Sequence, residues 1–163
     1  MSSVHKYRFI ALVALFGSFM LLGQAHARAE GPFPRLVGSW SGTGQVHLDQ
    51  GKSEQITCRA FYNAKSKGSD LALAIRCASS SYKIDMRASL SQQDGRVTGQ
   101  WEERTFNAAG SVSGRSTESS LSLTISGAVS GTMSVTHSEA GQRIEIKTVG
   151  TALAGVTISL ART

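Results

Sequence analysis

The stretch ITCRAFYNAKSKGSDLALAIRC, residues 56–77, contains two runs of alternating apolar and polar residues separated by a polar break with one glycine. Alternation with a period of two is typical of a β-strand with one buried face, and such a break is typical of a turn. If the hairpin is symmetric about Lys67 and Gly68, Cys58 lies directly opposite Cys77. Opposed residues at a non-hydrogen-bonded pair have Cα atoms about 4.5 Å apart, which a disulfide accepts. The stretch therefore predicts a hairpin closed by one cross-strand disulfide.

The same register places two arginines, Arg59 and Arg76, opposite each other on the polar face of the hairpin. Like charges directly across a ladder are unfavourable. We expect each arginine to reach a carboxylate on a neighbouring strand, with Asp85 and Glu54 as candidates. The alternative is that the arginines contact an anion or a partner protein.

Similar alternation continues along the rest of the chain, interrupted by Gly, Asn, Asp and Ser clusters and by the strong turn dipeptide Asp94-Gly95. Each predicted strand has one apolar face and one polar face, as in an antiparallel sheet around one core. We therefore predict an all-β fold, a single antiparallel meander barrel of about eight to ten strands. The predicted strands are 36–48, 54–63, 70–78, 81–91, 96–106, 110–117, 120–126, 129–137, 142–149 and 153–161.

A short glycine motif recurs as GRVTG (95–99), GSVSG (110–114) and GAVSG (127–131), and as GSWSG at 38–42. Residues two apart on a strand share a face, so the second glycine points inward with the valine or tryptophan two positions before it. An inward glycine weakens a strand unless the sheet bends there or another group approaches closely. We predict structural glycines at bends of the barrel; the alternative is that they leave room for an apolar ligand beside the indoles. The predicted positions are Gly38, Gly42, Gly99, Gly114 and Gly131.

The N-terminal segment has the pattern of a secretory signal peptide. Lys6 and Arg8 precede the apolar run Phe9–Leu22, and small residues follow it. We expect residues 1–29 to be cleaved, residues 30–163 to form one domain, and the product to be periplasmic or secreted. Two cysteines in an oxidising compartment also favour a disulfide.

The charge of the predicted exported domain is small. Removing Lys6, Arg8 and Arg28 leaves 17 − 3 = 14 basic residues against 11 acidic ones, a net charge of +3. This balance, without a run of basic residues, gives no reason to expect nucleic-acid binding. A membrane-spanning barrel is the main architectural alternative, but the few aromatic residues do not suggest its aromatic girdles. We expect a barrel that does not span the membrane after signal cleavage.

Catalytic and metal-binding patterns are not apparent. The two histidines of the predicted domain, His47 and His137, fit neither a Ser-His-Asp order nor a metal-ligand spacing. The two cysteines are also too far apart in sequence for a zinc motif. We expect no enzyme activity, no cofactor and no metal site.

The opening Leu36-Val37-Gly38-Ser39-Trp40 resembles the G-x-W start of the lipocalins and their calycin relatives. That resemblance implies an antiparallel barrel, closed at one end, that binds a small apolar molecule. It also implies that an arginine on the last strand packs across the tryptophan, and Arg162 is at the corresponding place. The ten predicted strands and the glycine motif depart from the lipocalin pattern. The same L-x-G-x-W stretch is similar to the opening of a bacterial family of barrel-shaped protease inhibitors.

Two functions from different classes are consistent with these observations. The first is an exported barrel that binds a small apolar or amphipathic ligand in its interior. The second is a protein-binding envelope domain, such as a protease or lysozyme inhibitor or an envelope-integrity factor, without a small ligand. For Glu103 we expect a strand-end carboxylate that reaches solvent, the alternative being a buried group that orients the ligand. The candidate ligand-binding residues are Trp40, Trp101, Met86, Met133, Glu103 and Tyr82.

Overall fold

Ten strands follow one another around a closed sheet. In the computed structural model, which describes residues 31–163, each strand pairs antiparallel with the next, and the last pairs with the first. The predicted all-β meander barrel is confirmed, at the upper end of the predicted strand number. The strands are β1 (Gly38–Leu48), β2 (Ser53–Lys65), β3 (Asp70–Ala78), β4 (Lys83–Gln93), β5 (Arg96–Glu103), β6 (Ala108–Ser116), β7 (Ser120–Gly127), β8 (Ser130–His137), β9 (Gln142–Val149) and β10 (Leu153–Arg162).

The hairpin of β2 and β3 has the register that the sequence predicts. Cys58 pairs with Cys77, their Cα atoms are 4.1 Å apart, and the two form a disulfide. The turn contains Lys67 at φ 57° and Gly68 at φ 91°. Closing a loop across the sequence separation of 19 stabilises the fold by about 3 kcal/mol in the chain-entropy model. The predicted disulfide is thus confirmed.

The segment before β1 differs from the prediction. Residues Phe33–Leu36 form a short helix, α1, preceded by Pro32, whereas the predicted first strand begins at residue 36. The carbonyl of Pro32 accepts hydrogen bonds from the backbone N–H groups of Arg35 and Leu36, which closes this single turn. Phe33 and Leu36 are buried, so α1 contributes its apolar side to the core. The remaining short helices are Asp49–Gly51 and Ser66–Gly68.

Inward-facing side chains are apolar along nearly all strands, and they form one continuous core. Outward-facing positions are mostly polar. On β6 and β7 they are Ser111, Ser113, Arg115, Ser122, Thr124 and Ser126. On the outer face of β3, Arg76 pairs with Asp85 at 3.6 Å, as expected, while the Arg59 opposite it is exposed.

At two glycines of the repeated motif, the backbone of the neighbouring strand leaves no room for a side chain. A Cβ added at Gly114 would overlap the carbonyl oxygen of Ser122, and one at Gly131 would overlap that of Lys147. These overlaps are with backbone atoms, which cannot turn away as a flexible side chain can. Close backbone approach is a recognised reason for glycine inside a strand.

The two ends of the barrel are built differently. At one end, α1 lies beside the turns that join β2 to β3 and β6 to β7: Gly68 faces Pro34, and Arg35 is 4.0 Å from Glu118. We call this the closed end. The opposite end, which we call the mouth, is bordered by the segments 49–52, 79–82, 104–107, 128–129 and 150–152. Among residues 31–163, no helix is both long enough and apolar enough to cross a membrane.

Candidate functional site

A cavity of about 430 Å³ lies inside the barrel and extends from the level of Leu36 toward the mouth. Its volume is within the range of small-molecule sites, about 300 to 1,000 Å³. Strands from all around the barrel contribute to its wall. Among the lining residues only Tyr62, Tyr82, Glu103 and Thr148 are neither hydrocarbon, Met nor Trp. The cavity therefore offers an apolar environment.

The burial of inward-facing side chains decreases from the closed end to the mouth. Near the closed end the inward side chains, such as Leu71, Val97 and Leu160, are buried. Toward the mouth, inward side chains such as Ile84 and Met133 remain half-buried although their neighbours are apolar. A well-packed interior leaves few voids larger than a water molecule. The half of the barrel nearer the mouth therefore contains unfilled apolar space.

Four of the predicted ligand-binding residues line this cavity in the way the alternation suggests. Tyr82 immediately precedes β4, Met86 lies on β4, Trp101 on β5 and Met133 on β8. The indole of Trp101 is flanked in the sheet by Ala88 and Gly110, whose small size gives it room.

The Trp101 Nε1 atom is buried and has no hydrogen-bond partner among the described residues. Indole N–H groups usually find a partner when they are buried. Adding a Cβ to Gly110 would bring it to 2.9 Å from this nitrogen, so the N–H group lies against the wall of β6. What the indole presents to the cavity is therefore its apolar part.

Glu103 also lines the cavity, but it does not reach solvent, so that expectation is wrong. Its side chain is only 7% exposed. Oε1 accepts a hydrogen bond from the backbone N–H of Asp85 at 2.8 Å, and Oε2 accepts one from the N–H of Phe106 at 2.6 Å. Both carboxylate oxygens are thus engaged by the protein, and a carboxylate can be buried when it is hydrogen-bonded in this way. Glu103 fixes the segment 104–107 at the mouth.

Trp40 is not among the cavity-lining residues. It is 1% exposed, its Nε1 donates to the carbonyl oxygen of Leu36 at 2.7 Å, and the Arg162 guanidinium lies 4.3 Å from its ring centroid. The structure places Trp40 in the closed end, beneath the cavity. Trp40 and Trp101, predicted to lie in one site, are therefore at different positions along the barrel axis. The alternation predicts which face a residue occupies, but not its position along this axis.

Three buried polar side chains lie at the closed end, and one of them, Tyr62, also lines the cavity. The hydroxyl of Tyr62 donates to Gln142 Oε1 at 2.9 Å, and Gln142 pairs with His137 in the β8–β9 ladder. Burial raises the pKa of Tyr62 above its ordinary value. Burial, and secondarily the positive charge of Arg35, lowers the pKa of His137. Gln142 Nε2 and His137 Nε2 are buried without a hydrogen-bond partner among residues 31–163.

Electrostatically, the cavity provides no uncompensated charge. Glu103 is its one ionisable carboxylate, and backbone donors occupy both oxygens. Within residues 31–163 no three His, Cys, Asp or Glu side chains are grouped as metal ligands. An amphipathic molecule in this cavity would keep its charged group at the mouth, because burying an unpaired charge is costly.

Comparison of the chain with protein-family models and with curated protein sequences gave no match. The closed antiparallel barrel that the lipocalin resemblance implies is present.

Two features of the site were not evident in the sequence. Phe106, in the 104–107 segment, lines the mouth of the cavity, although the predicted strand 96–106 would have extended through it. The turn instead begins after Glu103, with Asn107 at φ 53°. An asparagine is enriched in this left-handed region and was the available signal for the turn. The polar cluster of Tyr62, Gln142 and His137 joins distant strands and had no local signature.

Proposed function

We propose that this chain is an exported barrel that binds a small apolar or amphipathic molecule in its interior and carries it through an aqueous compartment. The observation that carries the proposal is the cavity of about 430 Å³, whose wall is almost entirely apolar. Apolar pockets with few polar groups are the usual sites for such molecules. The signal-peptide pattern of residues 1–29, which precede the described residues, supports export.

Two further observations support the proposal. The outward faces of the strands are mostly polar, which suits a barrel surrounded by water. The stacking of Arg162 on Trp40 at 4.3 Å is the arrangement that the lipocalin resemblance implies. Lipocalin-like carriers hold apolar ligands in barrels closed at one end, and here α1 and Trp40 fill one end.

The two tryptophans allow the ligand to be located. Trp101 lines the cavity and Trp40 lies in the closed end, so each variant with one tryptophan reports on a different place. We propose titrating Trp40→Phe and Trp101→Phe with dodecanoic acid brominated on its chain, a contact quencher of indole fluorescence. Quenching in Trp40→Phe, where Trp101 remains, with much weaker quenching in Trp101→Phe is the expected result.

Circular dichroism of both variants controls for folding. Absence of quenching in a folded Trp40→Phe protein would contradict the proposal, as would equal quenching of both variants, which indicates binding outside the cavity.

A further inference from the structure

The mouth of the barrel has exposed apolar side chains around the entrance of the cavity. Phe106 is 61% exposed and Val149, where β9 ends, is 67% exposed. Half-buried Tyr82, Val129 and Leu153 lie beside them at the ends of the neighbouring strands. We call Phe106, Val149 and these three residues the apolar rim.

The turns at the closed end have a different composition. They read Ser66-Lys67-Gly68, Asp94-Gly95, Thr117-Glu118-Ser119 and Ser138-Glu139-Ala140-Gly141. Of the four large apolar side chains exposed in residues 31–163, two belong to the apolar rim, Phe61 lies on the outer wall, and Val37 follows α1. Tyr82, Phe106, Val129 and Leu153 also line the cavity, so this part of the apolar rim continues the apolar wall of the cavity to the outside. Val149 lies beside them at the end of β9.

The position of Phe106 is fixed by a buried group. Its backbone N–H donates to Glu103 Oε2, and Arg104 N–H donates to the carbonyl of Asp85. The segment is therefore tied to β4 on one side and to the Glu103 carboxylate on the other. Phe106 is therefore exposed in a turn whose backbone is fixed by hydrogen bonds.

Three basic side chains lie at the mouth, on the side of the barrel formed by β1 to β5. Lys52, Lys83 and Arg104 are exposed at the mouth. The acidic residues at this end are Asp49, Glu54, Asp85, Glu102 and Glu103. Asp85 pairs with Arg76, and backbone N–H groups donate to both oxygens of Glu103. Glu54 Oε1 accepts hydrogen bonds from the Ser80 hydroxyl at 3.1 Å and the Ser81 N–H at 3.0 Å. Apolar side chains flanked by Lys and Arg are the combination that binds anionic lipid surfaces.

We propose that the mouth docks on an anionic lipid surface, with Phe106 and Val149 inserted among the headgroups and Lys52, Lys83 and Arg104 near the phosphates. This inference rests on the proposed function, because a carrier of apolar molecules must load where these molecules reside. Docking by the mouth brings the cavity entrance against the lipid, so an apolar molecule passes between them with little exposure to water.

Vesicle sedimentation of the chain from Glu30 onward, which contains every strand of the closed barrel, tests the proposal. The vesicles are phosphatidylcholine with and without phosphatidylglycerol. We expect binding to the mixed vesicles that weakens as salt is raised. The double variant Phe106→Ser, Val149→Ser should bind about tenfold more weakly, since it removes most of the inserted apolar area.

Phe61→Ser is the matched control, because Phe61 is 56% exposed but lies on the outer wall of β2. It should keep wild-type vesicle binding within about twofold. The proposal is overturned if the wild-type chain does not sediment, if Phe61→Ser loses as much binding as the rim variant, or if both vesicle types bind equally.

The outcome is separable from that of the proposed function. Binding of dodecanoate without vesicles reports on the cavity alone. Because Val149 does not line the cavity, Val149→Ser should leave dodecanoate binding unchanged. Retained dodecanoate binding without vesicle binding overturns the docking inference only. Loss of both in the wild-type protein overturns the carrier function as well.

Discussion

Arg162 lies across the indole of Trp40, with its guanidinium carbon 4.3 Å from the ring centroid, and the two residues are register partners in the β1–β10 ladder. Nη1 donates to the carbonyl oxygen of Val37 and Nη2 to that of Arg35, both at 2.7 Å. Trp40 Nε1 donates to the carbonyl oxygen of Leu36. Through Arg162, the last strand β10 thereby holds the segment around α1, which precedes β1 and covers the closed end.

Replacing Arg162 should open the closed end. Arg162→Ala removes a cation–π contact and two hydrogen bonds from a charged donor, and we expect it to lower the free energy of unfolding by about 1 to 3 kcal/mol. Arg162→Lys should recover little, because an ammonium group lacks the planar fork that reaches two carbonyls. Urea unfolding measures both, with Arg59→Ala, an exposed arginine on the outer wall, as control. A loss no larger than that of Arg59→Ala would contradict this role.

Gly114 should not tolerate a side chain. A Cβ there meets the carbonyl of Ser122 in the adjacent strand, so Gly114→Ala must move backbone and should cost about 3 kcal/mol. Gly150→Ala is the control, since its φ of 74° is unfavourable for alanine but nothing lies within 4 Å of the added atom. It should cost about 1 kcal/mol. Equal unfolding midpoints for the two variants would show that close strand approach does not explain this glycine.

The hairpin and the barrel were predictable because their signals are local or periodic. Cys58 and Cys77 are equidistant from one turn, and the register that places them opposite each other also places the apolar residues of both strands on one face. The same period-two pattern gives the inward face of every strand. The predicted strand boundaries were wrong where a turn depended on a single residue, as at Asn107, and where Pro32 initiated a helical turn before β1.

Glu103 should hold the mouth segment through its two acceptor oxygens. In Glu103→Gln one oxygen becomes an NH₂ group facing a backbone N–H, and we expect a loss of about 1 to 3 kcal/mol in unfolding free energy. The amide proton of Phe106 should also exchange faster with deuterium. Glu102→Gln, the exposed neighbour on the opposite face, is the control. Unchanged exchange at Phe106 would contradict this assignment.

The burial of Glu103 and the height of Trp40 could not be read from the sequence. The carboxylate is stabilised by N–H groups of Asp85 and Phe106, which face it only after β4 and β5 have paired. Trp40 and Trp101 each point inward, as alternation predicts, but β1 starts at the closed end while Trp101 lies nearer the end of β5 at the mouth. Whether the two tryptophans lie in one site depends on the direction and register of their strands in the folded barrel.

Acid should destabilise the closed end through His137. Burial and Arg35 lower the folded-state pKa of this histidine below its unfolded value of about 6.5. Between the two pKa values the unfolded chain binds more protons, so stability is present above pH 6.5 and is lost as pH falls toward the folded pKa. In urea unfolding from about pH 7.5 to about pH 5, His137→Gln should show a shallower loss than wild type. His47→Gln is the control, and identical pH slopes for wild type and His137→Gln would contradict the prediction.

The central claim, that the interior of the barrel is a ligand site, is tested most directly by calorimetric titration of dodecanoate into wild type, Ala88→Phe and Ala74→Phe. Ala88 lines the cavity beside Trp101, and Ala74 points to the outer face of the adjacent strand β3. We predict one site in the wild type and in Ala74→Phe, and binding weakened by at least about tenfold in Ala88→Phe, whose added ring occupies part of the cavity. No binding to the wild type, or equal binding to a folded Ala88→Phe protein, would contradict the account.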